Sequence, residues 1–415
     1  MKEIFKTVLA DFYKSGIPKH KNRKHNIPLD SEKIITLTGP RRAGKTYLLF
    51  QLMENIADKT NIIYINFEDE RIKTSGEELN TIIEAYFELF PDKNWKDIYF
   101  FFDEIQEIEG WQKFVRRIYD TISKNILITG SSAKLLSREI ATNLRGRSIN
   151  FDVFPLSFEE YLNFRTIEID LNSTIGKSRI RKEFREYLHN GGFPETIEMS
   201  ENIRQKTLQS YLDVMMYRDL IERFNISNVT ALKYLINKLL ANTSKVYSLN
   251  KIYNELKSRG IKISRENLSN FTDHIEDTYI IFSMEAFTES VNSTSLKKAY
   301  SVDNGLSENI SFSLSDDTGR LLENCVFHEL KRKEFEIYYH KAKFECDFLI
   351  KKKNQIIKCI QVCAELSDSN KKREFGGIKE AMKRFHLNEG LIITLEQKFE
   401  ENDIEVIPIT EWLLS

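Results

Sequence analysis

The stretch Lys33-Ile-Ile-Thr-Leu-Thr38-Gly39-Pro40-Arg41-Arg42-Ala43-Gly44-Lys45-Thr46-Tyr47-Leu-Leu joins an apolar, β-branched run to a glycine-punctuated loop and then to a helical segment. Its middle fits G-x-x-x-x-G-K-[ST], and a strand before with a helix after is the context this pattern requires. Glycines at 39 and 44 let backbone N–H groups close around phosphate oxygens, and the helix N-terminus adds a favourable field. Lys45 then reaches the β- and γ-phosphates, and the Thr46 hydroxyl ligates Mg²⁺. The nucleotide-binding residues expected are Gly39, Pro40, Arg41, Arg42, Ala43, Gly44, Lys45, Thr46 and Tyr47, with ATP and Mg²⁺ as ligands.

Moving outward, short β-branched or aromatic runs alternate with helical stretches of about ten residues, the pattern of an α/β fold with a parallel sheet. This unit ends near Phe154-Pro155. One of its runs, Ile98-Tyr-Phe-Phe-Phe-Asp103-Glu104, is a buried strand ending in two carboxylates. Asp103 is expected to hold Mg²⁺ through water, and Glu104 to orient or deprotonate the attacking water. An adjacent Asp-Glu pair points to hydrolysis; the bland alternative is two solvated acids at a strand end. Asn125-Ile-Leu-Ile-Thr129-Gly-Ser131-Ser132 is another strand with a small polar end, where Ser131, or else Thr129, is placed to meet the γ-phosphate or water. Leu144-Arg145-Gly-Arg147 is similar to the L-R-x-R stretch of AAA-type ATPases, whose second arginine reaches a neighbouring subunit's γ-phosphate. Arg147 is the finger expected from that likeness, ahead of Arg145, and two surface arginines near a junction are the alternative.

Composition narrows the rest. Among 415 residues, 61 basic and 62 acidic side chains nearly cancel, so global charge points to neither nucleic acid nor a membrane surface. Contact with DNA then needs a local basic patch. No apolar run reaches the roughly 18 residues of a membrane span, and the four cysteines (Cys325, Cys346, Cys359, Cys363) lack the spacing of a zinc site. They read as reduced thiols in a cytoplasmic protein. A first amphipathic helix presents Ile4, Phe5, Val8, Leu9 and Phe12 on one face, and a basic stretch from Lys14 to Lys24 follows it. Residues 228–287 read as three helices and a β-run, as in a winged helix-turn-helix. The last section, from about 297, is α/β again.

With these motifs in place, the chain resembles a prokaryotic, largely archaeal, family of AAA-type ATPases that begin with GPRRxGKT and end in a restriction-endonuclease-like domain. The likeness rests on GPRRAGKTYLL, YINFEDER, FFDEIQEIEGWQKFVRRIYD, LITGSSAKLL, LRGRSINFDVFPLSFEEYL, YLHNGGFPE, VDNGL, GRLLENCVFHEL, ECDFLI and IQVCAEL, in that order over nearly the whole chain. It implies an N-terminal helix and basic linker over 1–30, an AAA-type ATPase domain over 31–155 and a helical lid-like region over 156–227. A winged helix over 228–295 and a nuclease-like α/β domain over 296–415 complete the order.

The resemblance also implies a PD-(D/E)xK-type centre. Its counterparts are Glu323 or Glu329, then Asp347, then Gln361, but the lysine position falls on Cys363. Lys358 lies at an odd offset from Gln361 and so on the opposite strand face; Lys371 and Lys372 are the substitutes within reach. A decayed centre without cleavage is expected, with Lys351–Lys353 and Lys371–Arg373 available for salt-sensitive DNA contact. The recognition helix, Arg265 to Tyr279, carries Glu266, Asp273, Glu276 and Asp277 against Arg265 alone, which disfavours insertion between phosphate walls. Lys257, Arg259 and Lys262 precede it. The leading expectation is therefore an ATP-driven switch or motor, transiently homo-oligomeric, whose C-terminal domains engage DNA. A scaffold binding a protein through its middle or C-terminal domain is the second, and an ATP-gated nuclease the third.

Overall fold

Alternation within Tyr99-Phe-Phe-Phe-Asp103 sends Phe100 and Phe102 to one face of a sheet and Phe101 to the other, so the strand is buried on both sides. The same division places Ile34 opposite Ile35 and Leu37, and Ile63 and Ile65 opposite Ile62. Only a parallel sheet covered by helices on both faces satisfies such strands. Each fully buried Phe here contributes on the order of 1.5–3 kcal/mol. The computed structural model describes residues 1–131, 144, 146–288, 296–310 and 318–415, which form two compact units, Met1–Val153 and Phe154–Ser415. Arg145 and the helical stretch expected just before Leu144 lie outside the described residues.

In the first unit, strands β1 (Ile34–Thr38), β2 (Ile62–Asn66), β3 (Tyr99–Asp103), β4 (Ile126–Gly130) and β5 (Ser148–Asp152) form one parallel sheet in the order β2-β3-β4-β1-β5. Helices α1 (Lys2–Ser15), α2 (Lys45–Glu54), α3 (Asn80–Leu89) and α4 (Trp111–Thr121) pack around it. The first thirty residues are not an appendage. Phe5, Val8 and Leu9 join the core, Lys2 and Lys6 both pair with Glu88 of α3, and the Tyr13 hydroxyl donates to the Ile62 carbonyl at 2.6 Å. An expected boundary at residue 30 is thus replaced by a helix built into the sheet's cover, because its apolar face has α3 and β2 to bury against.

The second unit opens with helices α5 (Phe158–Phe164), α6 (Thr174–Asn190) and α7 (Glu201–Val214), the last running on into π-helical Met215–Glu222. Helices α8 (Val229–Ala241), α9 (Leu249–Ser258) and α10 (Arg265–Asp277) follow, the last two N-capped by Ser248 and Ser264. Strands β6 (Lys245–Tyr247), β7 (Ile281–Glu285) and β8 (Lys297–Ser301) make a small antiparallel sheet in the order β6-β8-β7. A boundary at 295/296, as expected, would cut β8 from the strands that it pairs with, since β8 takes its hydrogen bonds from β7 and β6. Helices α11 (Asn304–Ile310) and α12 (Thr318–Arg332) lead to a six-stranded mixed sheet. Its members are β9 (Glu336–Lys341), β10 (Glu345–Lys352), β11 (Gln355–Val362), β12 (Gly390–Thr394), β13 (Phe399–Glu401) and β14 (Ile404–Pro408), in the order β13-β14-β12-β11-β10-β9. Helix α13 (Lys371–Phe385) covers one face, α12 the other, and α14 (Ile409–Leu413) closes the chain. Among the described residues no helix is long and apolar enough to cross a membrane.

A buried polar knot ties the second unit together where three of the sequence motifs meet. Asp303 accepts from the Gly192 N–H at 2.6 Å, Asn304 donates to the Leu188 and Leu321 carbonyls, and Asn324 and His328 both bond the Ser301 carbonyl. Burial pushes the Asp303 carboxyl up to about 6 from an ordinary 3.8, against the N–H groups of Gly192, Gly305 and Leu306 that favour its charge. Because the folded group holds its proton more tightly than the unfolded one, its contribution is complete below about 3.8 and is lost as pH rises through about 6. Wild-type stability should therefore fall relative to an Asp303→Asn variant by about 1–2 kcal/mol between about pH 5 and 7. A difference between the two proteins that stays constant across this range, measured by thermal or urea unfolding, would exclude Asp303 as its source.

Candidate functional site

The loop between β1 and α2 is shaped by two glycines. A Cβ at Gly39 would lie 2.1 Å from the Val153 carbonyl oxygen, and Gly44 sits at φ +95°, in the left-handed region. Lys45 opens α2 and is almost fully buried; its Nζ donates to the Gly39 and Pro40 carbonyls at 3.0 and 3.1 Å. Arg41 is engaged by Glu68 at 2.6 Å, with Glu107 at 3.7 Å, while Arg42 and Tyr47 face outward.

Because β4 lies between β1 and β3, side chains at the ends of three neighbouring strands converge beside this loop. Asp103, at the end of β3, accepts from the Thr46 hydroxyl at 2.7 Å with one oxygen and from the Thr129 hydroxyl with the other. Thr129 in turn accepts from the Glu104 N–H at 2.9 Å. Glu104 is held at φ +51°, unusual for a residue with a Cβ, and its carboxylate lies 3.5 Å from Lys45 Nζ. Gln106 donates to Glu104 at 2.5 Å and reaches Ser131 at 3.5 Å. Burial, with the neighbouring Glu104 charge, raises the Asp103 carboxyl above its usual range, while Thr129, Thr46 and Lys45 work against it. For Glu104 burial also pushes upward, but Lys45, Gln106 and Arg41 outweigh it, and the group is held below its ordinary value. A buried ammonium, a hydroxyl and two carboxylates beside an N–H-lined loop fit the phosphates of a nucleotide with a divalent cation: Lys45 would meet the phosphates, Thr46 and Asp103 the metal.

Sequence reasoning missed two supports. Arg23, in the segment read as a basic linker, is buried and donates from Nη1 to the Ala43 carbonyl at 2.7 Å, while the Gln51 side-chain amide accepts from its N–H and donates to its carbonyl. Nothing local distinguishes it from its solvated basic neighbours. Gln106 carried a signal, two residues beyond Glu104 in the quoted FFDEIQ. Arg147 lies elsewhere: its carbonyl accepts from the Ile34 N–H, at the start of β1, and its side chain pairs with Asp120 at 3.0 Å. It is thus at the opposite end of β1 from the loop, about 16 Å along the strand.

In the second unit, Glu323 of α12, Asp347 of β10 and Gln361 of β11 are brought together and buried. Gln361 accepts from the Asp347 N–H at 3.2 Å and donates to Glu374 at 2.7 Å, and Val362 N–H donates to Asp347 at 3.0 Å. Pairing between β10 and β9 shifts register between Cys346 and Leu349, the kind of irregularity that re-aims a side chain. Of the two glutamates left open, Glu323 joins this cluster; Glu329 pairs with Lys333. Neither substitute lysine does: Lys371 pairs with Glu401 and Lys372 is exposed, as is Lys358. Cys363 stays a neutral thiol, pushed up to about 12 by burial and then by Glu374 and Asp347. The ammonium present is Lys298 of β8, within 3.0 Å of Glu323, Glu345 and Asp347, which sequence spacing gave no means of finding. Burial, followed by the Asp347 charge, pushes the Glu323 carboxyl upward, while Lys298 and the Tyr300 hydroxyl work against that shift.

Comparison with known proteins agrees with the first unit's architecture. Residues 31–162 match the AAA domain family, and residues 181–316 match a domain of unknown function (DUF8612). Over 412 residues the chain is 41% identical to the uncharacterized protein MJ1544 of Methanocaldococcus jannaschii, spanning 95% of this chain and 91% of that protein. An uncharacterized protein of Haemophilus influenzae is 30% identical over 399 residues, 93% of this chain and 95% of the relative. Among solved structures, the Walker-type ATPase PABY2304 of Pyrococcus abyssi aligns with a TM-score of 0.39 at 14% identity, over 71% of this chain and 99% of that one. The Aeropyrum pernix ORC1 protein, solved in complex with DNA, aligns with a TM-score of 0.25 at 13% identity, over 79% and 94%. The chain carries an AAA-type ATPase domain and belongs to the family of the M. jannaschii protein MJ1544.

Proposed function

We propose that the chain is a Mg²⁺-dependent ATPase whose nucleotide state is read out by its second unit. The observation that carries this reading is the convergence of Lys45, Thr46, Asp103, Glu104 and Thr129 at the ends of adjacent parallel strands. Mg²⁺, when bound, supplies the charge that offsets the β- and γ-phosphates. Lys45 leaves two backbone carbonyls to meet those phosphates, Glu104 holds the attacking water, and Thr129 fixes Glu104 in its left-handed conformation. Ser131 contributes at one remove, through Gln106.

For the second unit we favour a winged-helix arrangement of α8, α9, α10 and the small sheet, joined to a nuclease-like α/β layer that does not cut. Glu266 and Asp273 are exposed on α10 and Arg265 is the exposed cation there, its guanidinium over the Tyr253 ring. That acidity supports docking to a protein more than insertion into a DNA groove. Backbone contact through the exposed Lys257, Arg259 and Lys262 is the competing reading; turnover measured with and without duplex DNA separates the two.

Lys45→Ala should lose ATP binding, whereas Glu104→Gln should keep ATP bound and stop hydrolysis. Wild-type turnover by the Glu104→Gln protein would remove Glu104 from this role.

Thr129→Val preserves shape but deletes both hydrogen bonds, so turnover should fall about tenfold to a hundredfold with ATP affinity retained. Thr129→Ser should restore it. Equal rates for Val and wild type would show that Glu104 does not depend on Thr129.

Arg147 is too far along β1 to serve the loop of its own chain, so a role in hydrolysis requires a neighbouring copy. Specific activity should then rise with protein concentration, and Arg147→Ala should bind ATP but turn over slowly. Mixing it with Glu104→Gln protein should recover activity, because a mixed interface pairs one intact Glu104 with one intact Arg147. Full turnover by a strict monomer would rule this out.

A further inference from the structure

Lys298 is a cation that no motif calls for, in a place that motif residues surround. Its Nζ lies 2.8 Å from Glu345 Oε1 and 3.0 Å from both Glu323 Oε1 and Asp347 Oδ1. An ammonium has three N–H donors, and here each has a carboxylate oxygen. The lysine is 2% exposed, and the Tyr339 ring lies 5.5 Å from its Nζ. Burying an ammonium is unfavourable unless partners surround it this completely. Further hydrogen bonds hold the cluster in place. Asp347 Oδ2 accepts from Val362 N–H, Glu323 Oε1 accepts from the Tyr300 hydroxyl at 2.7 Å, and Gln361 spans Asp347 N–H and Glu374. Among the described residues, no group of three or more His, Cys, Asp or Glu side chains is arranged to hold a metal ion.

The partners belong to different layers. Lys298 comes from the small sheet, Glu323 from α12, and Glu345 and Asp347 from β10 of the six-stranded sheet. Two other contacts run parallel to it: Tyr300, two residues on, stacks on Phe327 of α12 at 4.0 Å, and Phe287 N–H bonds the Tyr339 carbonyl of β9. We propose that the Lys298 ammonium permanently occupies the position a divalent cation would take between Glu323 and Asp347. The centre is then a metal-free joint that fastens the small sheet to the six-stranded sheet. Its three carboxylates are a latent cation site, opened only when the lysine is removed. None of these residues belongs to the nucleotide site, so failure of the ATPase reading would leave the joint untouched.

The test uses the full chain without nucleotide and Mn²⁺ as the probe, read by thermal unfolding and by titration of free Mn²⁺ with electron paramagnetic resonance. Wild type should bind no Mn²⁺ in a manner dependent on Asp347, and should not cleave plasmid. Lys298→Ala should unfold about 5–10 °C lower and recover at least half of that loss in saturating Mn²⁺. The recovery should vanish in Lys298→Ala/Asp347→Ala. Three results would each overturn the proposal. They are wild-type Mn²⁺ binding or cleavage abolished by Asp347→Asn, a Lys298→Ala protein as stable as wild type, and one that is destabilised yet indifferent to Mn²⁺. Should Lys298→Ala not fold, the comparison of wild type with Asp347→Asn decides alone, Asp347-dependent binding refuting the joint and its absence upholding it.

Discussion

The carboxylate of Asp103 is the point on which the proposed nucleotide site turns. It ends a strand of three consecutive phenylalanines, so its position is fixed by the sheet's own core. From there it takes one hydroxyl from α2 and one from β4 and so sets the distance between the phosphate loop and the strand that carries Thr129. Unpaired, a carboxylate this deep would be strongly disfavoured. The two threonines are what make it tolerable, and they are also what bring Glu104 and Lys45 within reach of each other. Without β4 between β1 and β3 the Thr129 bond has no donor.

Both units bury a lysine among carboxylates, and the contrast between them is instructive. Lys45 leans on two backbone carbonyls and keeps Glu104 at 3.5 Å, a loose arrangement that leaves the ammonium able to change partners. Lys298 has all three donors on carboxylates in a closed setting. Screening by water is weak there, and exchanging one cation for another means breaking three short contacts at once. The first geometry suits a site that fills and empties, the second a site that does neither.

How much of this is legible in the sequence follows from how far each contact reaches along the chain. The phosphate loop, the Asp103-Glu104 strand end and the alternation of strands and helices are local patterns, and the parallel sheet follows from them. Thr129 ranked behind Ser131 by reading alone, because a strand's polar end does not reveal which hydroxyl turns back toward β3. Arg23 and Lys298 were invisible for a different reason: each acts across folded layers, Lys298 on Glu323 and Asp347, and each sits beside other basic residues of identical appearance. The choice between Glu323 and Glu329 turned on the face α12 presents to β10, which needs the packed helix. The strand at 297–301 was not read as one, since a lysine-rich run gives no sign of the sheet it will join.

The placement of α1 has a consequence for synthesis. Its apolar face, Phe5, Val8 and Leu9, is completed by α3, which ends at Leu89, whereas α1 ends at Ser15. About 75 residues must leave the ribosome before that cover exists, a delay of roughly 4–15 s at ordinary elongation rates. Through that interval the apolar face of α1 lacks the partner it packs against in the folded unit, and the basic run to Lys24 follows it. The burial of α1 thus waits on a distant element, and this part of the first unit's core closes only after α3 has been made.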